Sequence, residues 1–278
     1  MLKLGLVADC QYALGVAPYL DRYPAESLSK LGQAIDHFRS DREIQAVLNL
    51  GDLIDEGAAH FAAPLELFGK LEVPIFHALG NHDFDVSEYA KTNVAEILGL
   101  AGRYYTTPLP ESGWRLVVLD GTTESTFGHP RKSDAWHRAV EVWERMEPRP
   151  EEWNGGLGEA QLAWLEETLA AARKTGERVI VACHWPLLPE GSRFLLWDAG
   201  EVRQILVRYA DIVAAYLCGH HHEGGISKIY GHAEVDIPHL NLVGMVDTHE
   251  NAYAVATFSE QGLFLEGFGR QASSSLLG

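Results

Sequence analysis

Residues Ala46-Val47-Leu48-Asn49-Leu50-Gly51-Asp52-Leu53-Ile54-Asp55 decide the fold. An apolar run of buried-strand length stops at a glycine, and a carboxylate follows at once. A carboxylate placed there is costly unless it caps a helix, finds a partner or holds a metal ion. Working outward, the same phrase recurs. The apolar run 4–8 ends in Asp9-Cys10-Gln11, and the run 73–79 ends in Gly80-Asn81-His82-Asp83. The run 179–183 ends in His184, and the run 212–218 ends in Gly219-His220-His221-His222.

Helical patterns separate these runs. Residues 26–38 carry Leu28, Leu31, Ile35 and Phe38 on one stripe. Residues 158–174 place Leu162, Leu165 and Leu169 together, with Gly176 as the stop. A shorter helix is predicted over 198–209. Beyond His222, residues 224–269 are rich in Gly, Val, Ile, Phe and Tyr at short spacing, which predicts antiparallel strands and hairpins. The order is α/β first and mostly β afterwards, which predicts two packed sheets flanked by helices. Residues 127–154 are polar, hold Trp136, Trp143 and Trp153, and run into Glu147-Pro148-Arg149-Pro150. They predict an insertion, at about 122–156, with one helix over the active-site side of a single domain spanning 1–278.

In open α/β sheets, ligands bind at the carboxyl ends of strands. Five strands then deliver Asp9 and Gln11, Asp52, Asn81 and His82, His184, and His220 and His222 to one rim. Singly, each has an ordinary explanation: a capping Asp, a Gly-Asn turn, a hydrogen-bonded core histidine. Together they offer seven oxygen and imidazole donors, more than one tetrahedral ion needs. Two ions sharing Asp52 account for the number. Donors of this kind without thiolate motifs suit Mn, Fe, Zn or Co, and Mg is also possible. Extended backbone would put Asp9 and Gln11 on one face, and likewise His220 and His222, with His221 turned away. His82 is not needed as a ligand and faces the substrate.

The rest of the composition narrows the partners. The formal charge of the 278 residues is −17. Two divalent ions leave it near about −13, so a nucleic-acid backbone is repelled and a small anion is the expected substrate. Cys10, Cys183 and Cys218 are too few and too scattered for a disulfide framework, and they read as buried, inert thiols. No apolar run is long enough to span a membrane, and the strand run before Asp9 leaves no room for a signal peptide. The expected location is cytoplasmic.

Asp9-x-Gln11, Gly51-Asp52-x-x-Asp55, Gly80-Asn81-His82-Asp83, His184 and Gly219-His220-x-His222, in this order, resemble the calcineurin-like metallophosphoesterase superfamily. The resemblance implies a four-layer α-β-β-α sandwich of two mixed sheets. Gln11 narrows it to the manganese-dependent ADP-ribose/CDP-alcohol diphosphatases. So do Trp153-Asn154-Gly155-Gly156 with Gln161-Leu162-Ala163-Trp164-Leu165, the run Gly219 to Gly225, Leu242 to Val246, and Gly267-Phe268-Gly269-Arg270. Residues 12–25 look shorter than in that family and keep only Arg22 of its basic cluster. Residues 122–152 also read differently.

The resemblance implies one ion on Asp9, Gln11, Asp52 and His222, and a second on Asp52, Asn81, His184 and His220. A water bridging both ions attacks phosphorus in line. His82 protonates the leaving oxygen or stabilises the transition state, oriented by Asp83 or Asp55. The expected substrate is a nucleoside diphosphate-X compound of the ADP-ribose or CDP-alcohol type. The competing readings are a phosphodiesterase for cyclic nucleotides or glycerophosphodiesters, and a metal-poor protein-interaction scaffold.

Overall fold

The computed structural model describes residues 1–231 and 236–277. In chain order its elements are β1 (Leu2–Val7), α1 (Pro24–Ser40), β2 (Ala46–Asn49), α2 (Ala62–Phe68), β3 (Ile75–His77), α3 (Val94–Ile97), β4 (Tyr105–Pro108), β5 (Trp114–Val118), α4 (Asp134–Arg145), α5 (Gly158–Thr175), β6 (Arg178–Ala182), α6 (Ala199–Arg208), β7 (Val213–Cys218), β8 (Gly225–Ile229), β9 (Ile237–Asn241), β10 (Ala252–Ser259), β11 (Gly262–Gly269) and β12 (Ser274–Leu277).

Two mixed sheets result. The first has the order β12-β11-β10-β1-β2-β3, with β1, β2 and β3 parallel and the other three antiparallel. The second has the order β4-β5-β6-β7-β9-β8, parallel from β5 to β9 with antiparallel edge strands.

Side-chain alternation explains the layers. Leu2, Leu4 and Leu6 of β1 join Leu116 and Val118 of β5, Ile180 and Ala182 of β6, and Ala254 and Ala256 of β10 in a core between the sheets. The alternate residues face outward. Val117, Val179, Val181 and Tyr216 pack with Leu165 and Leu169 of α5 and Val202 and Leu206 of α6. Val7 and Val47 pack with Leu31, Ile35 and Phe38 of α1 and Phe68 of α2. Three apolar layers therefore separate four layers of structure, the α-β-β-α sandwich. Each fully buried Leu or Ile contributes roughly 1.5–3 kcal/mol, so packing rather than local propensity holds the helices down. Gly5 belongs to this design: a Cβ there would lie 3.0 Å from the Phe38 ring.

The expected helices form, with shifted ends. The first begins two residues earlier than its stripe, because Pro24 is suited to an opening helical position. The helix after Gly158 ends where expected. Gly176 has φ 73°, and its N–H bonds to the carbonyls of Ala172 and Arg173. The helix in the 127–154 stretch is α4, capped by the Ser133 hydroxyl, which accepts from the Trp136 N–H at 3.2 Å.

The third strand is only Ile75–His77, because the chain leaves the sheet at Ala78 to reach the rim. One strand pair escaped the sequence reading. Residues 116–119 form an apolar run ending in Asp120, the same phrase as at Asp52, and they build β5. The region after His222 supplies hairpins, but β9 pairs parallel to β7 as well. Residues 232–235 of that region lie outside the described residues. Among the described residues no helix is long and apolar enough to cross a membrane.

Candidate metal centre

The predicted donors meet at the carboxyl ends of five parallel strands. Asp9 and Gln11 follow β1, Asp52 follows β2 and Asn81 follows β3. His184 follows β6, and His220 and His222 follow β7. The first sheet thus supplies oxygen and amide groups, and the second supplies imidazoles.

The local backbone differs from the extended chain expected. Asp9, Gln11, Asp52 and His220 have φ of 52°, 45°, 53° and 69°. These are left-handed conformations that non-glycine residues seldom adopt. Convergence therefore comes from tight, strained turns at three strand ends and not from strand alternation. His221 does turn away, stacking on Phe194 with centroids 4.5 Å apart. The approach of neighbouring chains is close enough to require glycine: a Cβ on Gly80 would sit 2.1 Å from Asp52 Oδ1.

Distances within the cluster are short. His184 Nε2 lies 3.2 Å from Asp52 Oδ2 and 3.9 Å from Asp9 Oδ1. His222 Nε2 lies 3.3 Å from Asp9 Oδ1. His220 Nδ1 and His184 Nε2 are 3.2 Å apart. Donor atoms of Asp52, His184 and His220 all fall within 4.8 Å of one another.

The far nitrogen of each histidine fixes its tautomer. His184 Nδ1 faces the Leu50 carbonyl at 2.8 Å, and His222 Nδ1 faces Asp247 Oδ1 at 2.8 Å. His220 Nε2 faces Asn154 Oδ1 at 2.9 Å. All three partners only accept, so each of these nitrogens carries a hydrogen and the other nitrogen is turned into the cluster, where it can hold a proton or a metal ion. Two of these inward nitrogens, His220 Nδ1 and His184 Nε2, face each other at 3.2 Å. Asn81 Oδ1 is also buried without a hydrogen-bond partner. Convergent ring nitrogens and an orphaned amide oxygen, beside two carboxylates, fit a cation.

Gln11 fits less directly. Its Nε2 points at Asp52 Oδ2 and His222 Nε2, each at 3.2 Å, and its Oε1 accepts from Arg22 at 3.3 Å. In this orientation it donates hydrogen bonds into the cluster. It becomes an oxygen donor only with the amide turned over, which forfeits the Arg22 bond.

Charge is concentrated here. Burial alone would raise the pKa of Asp52, but His184 and His82 beside it hold the carboxyl well below the usual range. Burial works against a charged His184, yet Asp52 outweighs it and pushes the imidazole up to about 9. His222 reaches about 9 against the same burial, through Asp9 and Asp247. His220 goes the other way, lowered by burial and by His184. Protons balance the carboxylates in this arrangement, and a divalent cation can replace them.

His82 stands beside the cluster. Its Nδ1 is 2.8 Å from Asp55 Oδ1, and its Nε2 is 3.5 Å from an Arg22 nitrogen. Burial opposes its protonated form, but Asp52 and Asp55 raise its pKa. Asp83 does not touch His82. It accepts from the backbone N–H groups of Gly80 at 2.9 Å, Asp52 at 3.1 Å and Leu53 at 2.8 Å. Burial and the charge of Asp52 push Asp83 up to about 7. Asp55, not Asp83, is therefore the carboxylate in contact with His82, and Asp83 braces the loop that carries Asp52.

Three contributors were not assigned from sequence. Asn154 holds His220, Asp247 holds His222, and Arg22 reaches Gln11, with its Nε 3.9 Å from Asp247. Asn154 had a signal in Trp153-Asn154-Gly155-Gly156 and Arg22 in the remnant of the basic cluster, whereas Asp247 had none.

The chain is similar to known phosphoesterases over most of its length. A family model described as calcineurin-like phosphoesterase matches residues 2–224. The manganese-dependent ADP-ribose/CDP-alcohol diphosphatase of Arabidopsis thaliana is 30% identical over 257 residues, 81% of each chain. Its namesake from Bos taurus is 27% identical over 318 residues, 97% of this chain and 92% of that one. Among solved structures, a dimetal phosphatase from Danio rerio superposes with a TM-score of 0.83 at 25% identity, covering 98% of both chains. An anchor protein of the Plasmodium inner membrane complex shares the fold alone, with a TM-score of 0.61 at 14% identity over 99% of this chain and 88% of that one.

Proposed function

From the premise that the chain belongs to the calcineurin-like phosphoesterase family and is a metal-dependent phosphohydrolase, we propose that it cleaves the phosphoanhydride bond of nucleoside diphosphate-X compounds. The names of its relatives point to ADP-ribose or a CDP-alcohol as substrate and to manganese as the metal. The observation that carries the substrate class is the cavity beside the donors. About 590 Å³ in volume, it is lined at one end by Asn81 and His82 and elsewhere by Phe84, Phe127, Trp136 and Trp143. The Trp136 indole N–H donates to the Thr126 carbonyl at 3.0 Å, and that of Trp143 donates to the Pro150 carbonyl at 2.8 Å. Both rings are thereby held, the Arg149 guanidinium 4.9 Å from the Trp143 centroid, and as cavity-lining aromatics they can pack against a base.

Asp9, Asp52 and His222 would hold one ion, with Gln11 once its amide is turned. Asp52, Asn81, His184 and His220 would hold the other. Bound there, the pair supplies an acidified water and neutralises charge on the phosphoryl oxygens. His82, held at Nδ1 by Asp55, is placed to give a proton from Nε2 to the departing oxygen. Arg22 is close enough to Gln11 and His82 to attract the anionic substrate.

A Mn-supplemented hydrolysis panel with product identification tests the substrate. Release of AMP or CMP from ADP- or CDP-linked compounds is expected. Preferential cleavage of cyclic nucleotides or glycerophosphodiesters would overturn this reading. His82→Ala should lower turnover by about 10²-fold while two Mn ions stay bound. Loss of Mn in that variant would make His82 a ligand and refute its role as acid.

A further inference from the structure

Lys30 is 3% exposed, on the inner face of α1, and among the described residues no carboxylate lies within ion-pair distance of it. Its Nζ instead lies against four consecutive backbone carbonyls. They belong to Met245 at 2.9 Å, Val246 at 3.4 Å, Asp247 at 3.2 Å and Thr248 at 2.7 Å. An ammonium has three N–H donors, so the three shorter contacts occupy it and the fourth is shared. Burying this charge is costly, and the carbonyl cage offsets that cost.

The caged segment is stitched to the metal rim. The Met245 N–H donates to the Ala8 carbonyl at 3.1 Å, and the Val246 N–H donates to the Asp9 carbonyl at 3.0 Å. The Tyr23 N–H donates to the Val246 carbonyl at 2.9 Å, and the Thr248 N–H donates to the Asp21 carbonyl at 2.7 Å. The side chain that leaves this segment is Asp247, 2.8 Å from His222 Nδ1. Thr248 has φ 55°, so the chain turns sharply just after Asp247. Gathering successive carbonyls toward one point demands a cation at that point, and Lys30 supplies it.

We propose that Lys30 is a positioning residue for one of the two metal sites. It fixes the 245–248 turn, the turn aims Asp247 at His222, and Asp247 sets the tautomer and basicity of that ligand. His184 and His220 are held instead by Leu50 and Asn154, which Lys30 does not touch. The effect is therefore one-sided. It weakens the site built on Asp9 and His222 and spares the site built on His184 and His220. This rests on the metal assignment proposed above.

The test is Mn titration of the intact protein by calorimetry, comparing wild type with Lys30→Met. One of two Mn ions should bind about 10- to 100-fold more weakly and the other unchanged. Asp247→Asn should reproduce that loss, and the double variant should add nothing. Lys30→Gln, which keeps two N–H donors, covers the case in which the methionine variant does not fold. Equal weakening of both ions, or no weakening in a folded variant, overturns the proposal. A separate readout needs no metal. Nitrogen NMR of the metal-free protein should show the His222 Nδ1–H···Asp247 hydrogen bond in wild type and its loss in the Lys30 variants. If wild type binds no Mn, the metal assignment fails, and this spectrum alone decides on Lys30.

Discussion

Asp52 and Asp120 share one sequence context and differ in everything around them. Each follows an apolar strand, β2 or β5, and each is essentially sealed from solvent at 1% and 0% exposure. Asp120 is fully occupied. Its Oδ2 takes the Arg103 Nε–H at 2.8 Å and the Thr123 hydroxyl at 2.9 Å, and its Oδ1 takes the Thr122 N–H at 2.8 Å and the Thr122 hydroxyl at 2.5 Å. Asp52 has no guanidinium or ammonium within ion-pair distance among the described residues. It takes the His82 N–H at 2.8 Å, and its other oxygen looks into imidazole and amide groups at 3.2 Å. A carboxylate given an arginine and hydroxyls is finished as a structural brace. One left among imidazoles is balanced only by their protons, which a metal ion can replace.

The largest effect that could break the comparison is at Asp52. Asp52→Asn should cut turnover by on the order of 10³-fold and lower Mn content, measured by steady-state hydrolysis and metal analysis. Activity within tenfold of wild type would remove Asp52 from the site. Next comes Asp120→Asn, which leaves the Arg103 charge uncompensated. It should cost about 3 kcal/mol in urea denaturation with Mn binding retained. Mn loss with unchanged stability would reverse the two roles.

The same contrast holds among histidines. His184, beside Asp52, is pushed up to about 9, whereas burial, helped by the Arg203 charge, pushes His239 down to about 4. His239 accepts the Leu187 N–H at 3.0 Å and stays neutral in the fold. Unfolded, it titrates near 6.5, so below that pH the unfolded chain binds a proton the folded chain refuses. Its contribution is intact above 6.5 and is lost as pH falls toward 4, by up to about 3 kcal/mol. His239→Gln should flatten the fall in chemical-denaturation stability over that window, and an unchanged slope would refute it. The smallest effect is a predicted absence. Burial pushes the Cys10 and Cys183 thiols up to about 12, so an alkylating reagent at pH 8 should label neither until the protein is unfolded. Labelling of the native protein would show the core open.

The strand ends were legible because an apolar run followed at once by a turn residue is a local signal. That signal cannot separate Asp52 from Asp120, since the arginine that completes Asp120 sits 17 residues away, in the bend before β4. Alternation holds along β1 and β6, whose successive side chains enter different apolar layers. It failed at Asp9, Gln11 and His220, where the chain leaves extended geometry for positive φ. Gln11 was legible as a site residue, but not the Arg22 contact that turns its oxygen away. Asp247 carried no signal, because its position depends on Lys30, more than 200 residues earlier. The helix between residues 127 and 154 was expected over the active-site side, and its Trp136 and Trp143 line one cavity with Asn81 and His82.

The division of donors between the sheets has a kinetic side. Oxygen groups come from β1, β2 and β3, and imidazoles come from β6 and β7, across the core that the two sheets share. Neither half can assemble the cluster alone. During refolding, tight metal uptake would therefore count only chains whose halves have already closed on each other. A metal-sensitive dye added to a refolding sample would time that closure, separately from the earlier growth of helix signal.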